Sequence, residues 1–254
     1  MMISVCMATY NGARYLTEQI NSILTELGPN DELIVSDDGS TDETLSILQS
    51  YTDSRIRILH HTKVPQRFTY GYTSANFENA LSQACGEIIF LADQDDIWIP
   101  GRVAAMCSAL EHADLVLSDC TVVNSQLSVI VESKFKAEGV HLGVIRNLIH
   151  SSYLGSAMAF RRSILQYVLP FPKNTPHDLW IGLMVRLKGR SVLLNQPSLL
   201  YRRHQENVSA TASIFAKKEI TLRKNTHTIW FKLSYRFIVL RAIIYRLISP
   251  TTSK

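Results

Sequence analysis

The sequence predicts an α/β fold, a mixed and mainly parallel sheet flanked by helices with a C-terminal helical tail, and three observations carry that expectation. Short apolar runs end in polar or acidic turns, and each is followed by a helical pattern. The 254 residues, 46% of them hydrophobic, suffice for one large domain with a sizeable core. The charge is uneven: residues 214–254 hold nine Lys and Arg against the single acid Glu219, an excess of +8, which leaves −4 on the rest of a chain whose net charge is +4. Such a composition break marks a separate segment, so the expected organisation is a domain over 1–213 and a basic amphipathic tail over 214–254.

Ile3 to Ala8 form the first strand, which enters Thr9-Tyr10-Asn11-Gly12, and a helix is expected from Ala13 to Leu27. Glu32 to Ser36 form the second, entering Asp37-Asp38-Gly39-Ser40-Thr41-Asp42; Ser40 fits a helix N-cap, with the helix running from Thr41 to Tyr51. A strand at Ile56 to His60, a loop at Thr62 to Thr73 and a helix at Ser74 to Ala84 follow. The run from Gly86 to Ala92 delivers Asp93-Gln94-Asp95-Asp96-Ile97-Trp98. Beyond it come a helix at Pro100 to His112, with Pro100 suited to a first turn, a strand at Leu115 to Ser118, a helix at Pro176 to Lys188 ended by Gly189, and a strand at Ser191 to Leu194.

In the tail, charges interrupt Phe231 to Ile248 too often for a bilayer span of about 18 apolar residues. At about 100° per residue Lys232, Arg236 and Arg246 share a stripe and Arg241 falls opposite. That is the pattern of an interfacial helix whose basic stems reach headgroup level, or of a helix packed on the domain with an exposed basic face. Cys6, Cys85, Cys107 and Cys120 have no metal-ligand or disulfide spacing and read as buried, reduced thiols in a cytosolic compartment. The chain opens directly on a strand, so no signal peptide is expected.

Three carboxylates within four positions at the end of an apolar strand are costly to bury without a counter-cation. Carboxylate oxygens suit hard divalent ions, Mg²⁺ or Mn²⁺, which commonly share their shell with substrate phosphates; a solvated acidic turn is the alternative. In an open α/β sheet ligands sit outside the carboxyl ends of the strands, so the three polar clusters should meet on one rim.

The segments Ser4-Val5-Cys6-Met7-Ala8-Thr9-Tyr10-Asn11, Ser36-Asp37-Asp38-Gly39-Ser40-Thr41-Asp42, Asn76-Phe77-Glu78 leading into Gly86-Glu87, and Asp93-Gln94-Asp95-Asp96 occur in that order. With them the chain resembles, over about residues 3 to 210, the inverting glycosyltransferases of family two, which have the GT-A nucleotide-sugar fold. The resemblance implies Asp95 as ligand of Mn²⁺ or Mg²⁺, with Asp93 and Asp96 on the ribose, the donor sugar or metal-bound water. It implies Thr9, Tyr10 and Asp38 at the nucleobase and Asn76 on the nucleotide-sugar side. In Pro176-His177-Asp178-Leu179-Trp180, Asp178 holds the place of the catalytic base; His177 replaces the commoner acid and either serves Asp178 and the acceptor or simply precedes a helix. Tyr153-Leu154-Gly155-Ser156-Ala157-Met158 resembles the acceptor side, with Gly155 and Ser156 in it. Tyr201-Arg202-Arg203-His204 resembles the loop that closes over the diphosphate, with Arg202 on phosphate and His204 on phosphate or metal, and Val208 to Ser213 reads as a lid.

What this implies is a metal-dependent transferase moving a hexose from a nucleotide-sugar donor to a lipid-linked saccharide acceptor of bacterial surface polysaccharide, peripheral on the anionic cytoplasmic face of the inner membrane. UDP-glucose onto GlcNAc-diphospho-undecaprenol is the first expectation, with dTDP-rhamnose or UDP-galactose as alternative donors. A dinucleotide oxidoreductase is excluded because Asn11-Gly12-Ala13-Arg14 is not Gly-x-Gly-x-x-Gly. No nucleic-acid module accompanies the basic tail, so nucleic acid is not an expected partner. A non-catalytic sugar-nucleotide-binding protein is the alternative from another class, and the presence of both Asp95 and Asp178 speaks against it.

Overall fold

A computed structural model describes residues 1–204 and 226–248. Strands β1 (Ile3–Thr9), β2 (Glu32–Asp37) and β4 (Ile88–Ala92) are almost wholly buried, which is why they read as continuous apolar runs rather than alternating ones. Together with β3 (Ile56–His60) they form the parallel half of one sheet, ordered β3-β2-β1-β4. The sheet continues through β8 (Met158–Arg161), antiparallel to β4, then β6 (Leu115–Asn124), β9 (Ser191–Arg203) and β5 (Ile97–Trp98), while β7 (Val129–Val131) pairs with β6. The fold is the mixed, mainly parallel α/β sheet that the sequence predicts.

Helices α1 (Ala13–Leu24), α2 (Thr44–Ser50), α3 (Thr69–Leu81) and α4 (Arg102–Leu110) connect the first strands. Short helices α5 (Lys134–Glu138), α6 (Val144–Ile149) and α7 (Leu165–Val168) precede α8 (His177–Lys188), and α9 (Thr226–Ile248) follows the sheet. The core runs on both faces of the sheet, from Leu16, Ile20 and Phe77 to Trp180, Leu183 and Met184.

Several expectations need correction. Ser40 is not a helix N-cap: α2 starts at Thr44, and the Ser40 hydroxyl instead donates to Asp37 and accepts from the Asn11 amide. Helix α3 begins at Thr69, inside the expected loop, and Pro100 precedes α4 without entering its first turn. Tyr201, Arg202 and Arg203 belong to β9, which runs far past Leu194 because β6 pairs with it as far as Asn124↔Arg203. Of the four free cysteines Cys6 and Cys120 are buried, but Cys85 is exposed and Cys107 only half-buried.

The tail helix inverts its expected orientation. Val239 and Ile243 are buried in the core, and the guanidinium groups of Arg236 and Arg246 turn inward to backbone carbonyls of Leu148, Ile149, Tyr167, Leu169 and Pro170. Phe237, Leu240, Ile244, Tyr245 and Ile248 face outward instead. The 213/214 boundary and the Val208 to Ser213 lid lie outside the described residues. Among the described residues no helix is long and apolar enough to cross a membrane.

Candidate active site

Register brings the polar turns to one edge. Thr9 pairs with Asp37 and Met7 with Ala92, so the chain leaves β1, β2 and β4 side by side. The Asp37 carboxylate accepts from the amides of Gly39 and Ser40 at 3.0 and 2.9 Å, and Gly39 supplies the left-handed φ of +75° that this turn needs. Asn11 Oδ1 receives the Thr41 amide at 2.8 Å, and Asp42 receives those of Ala13 and Thr44.

Gln94, between the acids, joins the first and third turns. Its Oε1 accepts from Thr9 Oγ1 at 2.7 Å and from the Tyr10 amide at 2.8 Å, and its Nε2 donates to the Tyr10 carbonyl at 3.1 Å. A Cβ on Gly12 would lie 2.3 Å from Gln94 Oε1, so the glycine makes room for this strut. Asn76 Nδ2 donates to the Thr9 carbonyl at 3.1 Å, leaving its buried Oδ1 without a partner.

One corner gathers an acid, two basic side chains and an aromatic ring. Asp38, 4% exposed, has its carboxylate 2.7 Å from His61 Nδ1 and 3.6 Å from Lys63 Nζ. That ammonium sits 3.1 Å from the centre of the half-exposed Tyr10 ring. His61 and Lys63 escape sequence reasoning because they follow β3 in a stretch with no periodicity.

Ligand atoms of Asp93, Asp95 and Asp96 all lie within 4.8 Å of one another. Burial, then the charges of Asp95 and Asp178, push the Asp93 carboxyl up to about 7. Asp96 is raised well above the usual carboxylate range by burial, Asp95 and Asp93, and the nearby Ser156 hydroxyl offsets part of both rises. Asp96 Oδ1 accepts the Arg202 amide at 3.0 Å, while its buried Oδ2 has no partner. Buried oxygens crowded against their own repulsion, one of them orphaned, fit a hard divalent cation.

Two buried arginines stand by this turn, and one of them holds it directly. Arg202, 2% exposed, donates to the Asp95 carbonyl at 2.8 Å, to the Ser125 carbonyl and to Glu18, and stacks 4.4 Å from the Tyr15 ring centre. Its guanidinium therefore braces the acidic turn from within β9. Arg102, 1% exposed, reaches Ser118 Oγ and Ser198 Oγ and donates to the Ser156 carbonyl at 2.7 Å. Burial lowers its pKa to about 10, and Asp96 is the strongest charge opposing that shift. Sequence reasoning missed Arg102, and no local pattern could have found it, since its partners lie up to 96 positions away. His204, just past β9, places Nε2 2.8 Å from Asp95 Oδ2.

Asp178 stands in the first turn of α8, where its Oδ1 accepts the Leu179 amide at 2.7 Å. Burial raises its carboxyl to about 6, against that hydrogen bond and the nearby Lys134 ammonium. The same carboxylate raises Asp93, so Asp178 and the triad share one electrostatic environment. Helix α8 is held by Trp180, whose Nε1 donates to the Val168 carbonyl at 2.8 Å, and by Gly182, over which the Tyr153 ring lies. His177 stacks on Phe77 with ring centres 4.3 Å apart, and burial drives its pKa down to about 3, so it is neutral. A Cβ on Gly155 would meet His177 Nε2 at 2.6 Å, so these two acceptor-side candidates touch. Ser156 is buried beside them.

The profile of the family described as glycosyl transferase family 2 matches residues 4–169, well over half of the chain and inclusive of all three turns. The chain belongs to glycosyl transferase family 2. This glycosyltransferase is 26% identical over 188 residues to the UDP-Glc:alpha-D-GlcNAc-diphosphoundecaprenol beta-1,3-glucosyltransferase WfgD of Escherichia coli, covering 72% of this chain and 70% of that one. It is 27% identical over 244 residues to the dTDP-rhamnosyl transferase RfbG of Shigella flexneri, covering 89% and 81%. Among solved structures, S. aureus TarS 1-349 in complex with UDP-GlcNAc superposes with a TM-score of 0.68 at 20% identity, covering all of this chain and 68% of that one. At that identity the likeness shows the fold, which is GT-A.

Proposed function

We propose that this glycosyltransferase moves a hexose with inversion from a nucleotide-sugar to a lipid-linked saccharide at the cytoplasmic face of a bacterial inner membrane. The observation that carries the reading is the gathering of Asp93, Asp95 and Asp96 at the joined ends of β1, β2 and β4, with Asp178 near enough to raise Asp93. Tyr10, Asp38, His61 and Lys63 bind the nucleobase, and Asn76 fixes the turn that carries Tyr10. Asp93, Asp95, Asp96 and His204 would hold Mn²⁺ or Mg²⁺, which when bound supplies Lewis-acid neutralisation of the leaving diphosphate. Asp178 takes the proton of the acceptor hydroxyl as its oxygen bonds to the anomeric carbon, while the bond from that carbon to the diphosphate breaks on the opposite face. Gly155, Ser156 and His177 shape the acceptor side. Arg202, braced inside the acidic turn, positions Asp95 and Asp96 for this work.

UDP-glucose and GlcNAc-diphospho-undecaprenol are the first substrates to test, supported by the name of the WfgD relative. The RfbG relative, matched over 81% of its length, favours dTDP-rhamnose as a second donor, with UDP-galactose third. Asp95→Ala should abolish both transfer and metal-dependent donor binding across a panel of sugar nucleotides. Full activity of that variant, or of the wild type in excess EDTA, would remove the metal-dependent reading.

A further inference from the structure

A cavity of about 400 Å³ opens beside α5 and α6, lined by Glu138, His141, Arg146, Ile149, His150 and Ser152 among others. Arg146, His141 and His150 face one space: burial first, then the charges of Arg146 and His150, hold the His141 imidazole below its ordinary pKa, so Arg146 is the fixed cation of the lining. Glu138, the one acid of that lining, is already paired with Lys134.

The surroundings indicate what an anion in this cavity would be attached to. On one side Lys134, the partner of Glu138, is also the ammonium that lowers Asp178, so the cavity lies one ion pair away from the proton acceptor. Ser152, in the cavity wall, is followed by Tyr153, whose ring packs on Gly182 of α8. On the other side Ile145 and Ile149 are 74% and 66% exposed. Arg236 of α9 donates to the Leu148 and Ile149 carbonyls, which anchors α9 at the end of α6. Asp178 is thus linked through Lys134 to a cavity bearing Arg146 and His150, and that cavity shares α6 with the exposed Ile145 and Ile149, as sugar, phosphate and hydrocarbon are joined in a lipid-linked sugar.

We propose that this cavity holds the diphosphate of a polyprenyl-diphosphate-linked acceptor, with Arg146 and His150 donating to its oxygens and the hydrocarbon leaving over Ile145 and Ile149. This rests on the transferase reading above and assigns the acceptor's diphosphate a site of its own on this chain. A bilayer phospholipid would satisfy the cations equally, but the nearness of Asp178 favours a group carried by the reacting molecule.

The test is calorimetric titration of the full chain in EDTA with submicellar decyl diphosphate, comparing the wild type with Arg146→Gln/His150→Gln, whose two changes fall on exposed side chains. The wild type should bind, the double variant about tenfold or more weakly, and Asp95→Ala like the wild type, since the two anion sites are separate. Decyl maltoside, which has the chain without phosphate, should not bind. Equal binding by wild type and double variant, or loss of binding in Asp95→Ala, overturns the proposal. So does a double variant that keeps decyl diphosphate but loses sedimentation with phosphatidylglycerol vesicles, because the occupant is then a membrane lipid. Binding of decyl diphosphate requires no turnover, so this site and the transferase activity fail independently.

Discussion

Asp178 combines two opposing demands in one side chain. Burial lifts its carboxyl to about 6, which makes it a better proton acceptor than a solvated aspartate yet leaves it ionised at neutral pH. With the ionised form as the proposed base, kcat/KM should be level above that value and fall by about tenfold per pH unit below it. A profile flat through that region would assign the proton to another group. Asp178→Asn should lower kcat by roughly two to four orders of magnitude while donor affinity, measured by titration, barely changes. The same substitution should stabilise the fold. A carboxyl whose folded pKa is raised binds its proton more tightly folded than unfolded, so native stability declines as pH rises from the unfolded value through about 6. Removing that charge should recover on the order of 1–3 kcal/mol at neutral pH, seen as a Tm higher by several degrees.

Among the elements, the three turns act as one unit because Gln94 ties two of them together. Gln94→Ala leaves all three acids in place but removes the hydrogen bonds to Thr9 and Tyr10. Donor KM should therefore rise by roughly tenfold with a smaller change in kcat, the mark of a lost binding geometry. An unchanged KM would show that backbone pairing alone holds the rim. The strands and acids were legible in the sequence because each is a local pattern: β1, β2 and β4 are covered on both faces, and the acids follow directly. The start of helix α3 is not legible in its own sequence because it depends on Asn174, whose Oδ1 receives the amides of Arg67 and Phe68 from more than a hundred positions away. Ser40 resembled a cap because Asn11 and Asp37, its true partners, are brought to it only by the pairing of β1 with β2. Arg102, His61 and Lys63 carry no local signal for the same reason: their meaning lies in partners assembled by the fold.

At the scale of the whole molecule, α9 is both part of the core and a surface. Val239 and Ile243 are buried, so deleting the tail would open the domain and confound any membrane assay. Substitution of the outward residues avoids this: Phe237→Ser/Ile244→Ser/Tyr245→Ser should leave Tm nearly unchanged and reduce sedimentation with anionic vesicles. Equal sedimentation would make the stripe a solvent-facing helix surface only. Since Arg236 and Arg246 are spent on internal carbonyls, salt should weaken vesicle binding less than the tail's charge alone suggests. Held to a bilayer by that stripe, the protein would meet the proposed lipid-linked acceptor in two dimensions, and the quantity that governs its rate would become the acceptor's surface density. Adding inert lipid at constant total acceptor should then slow transfer, whereas diluting the vesicles with buffer, while the protein stays bound, should not.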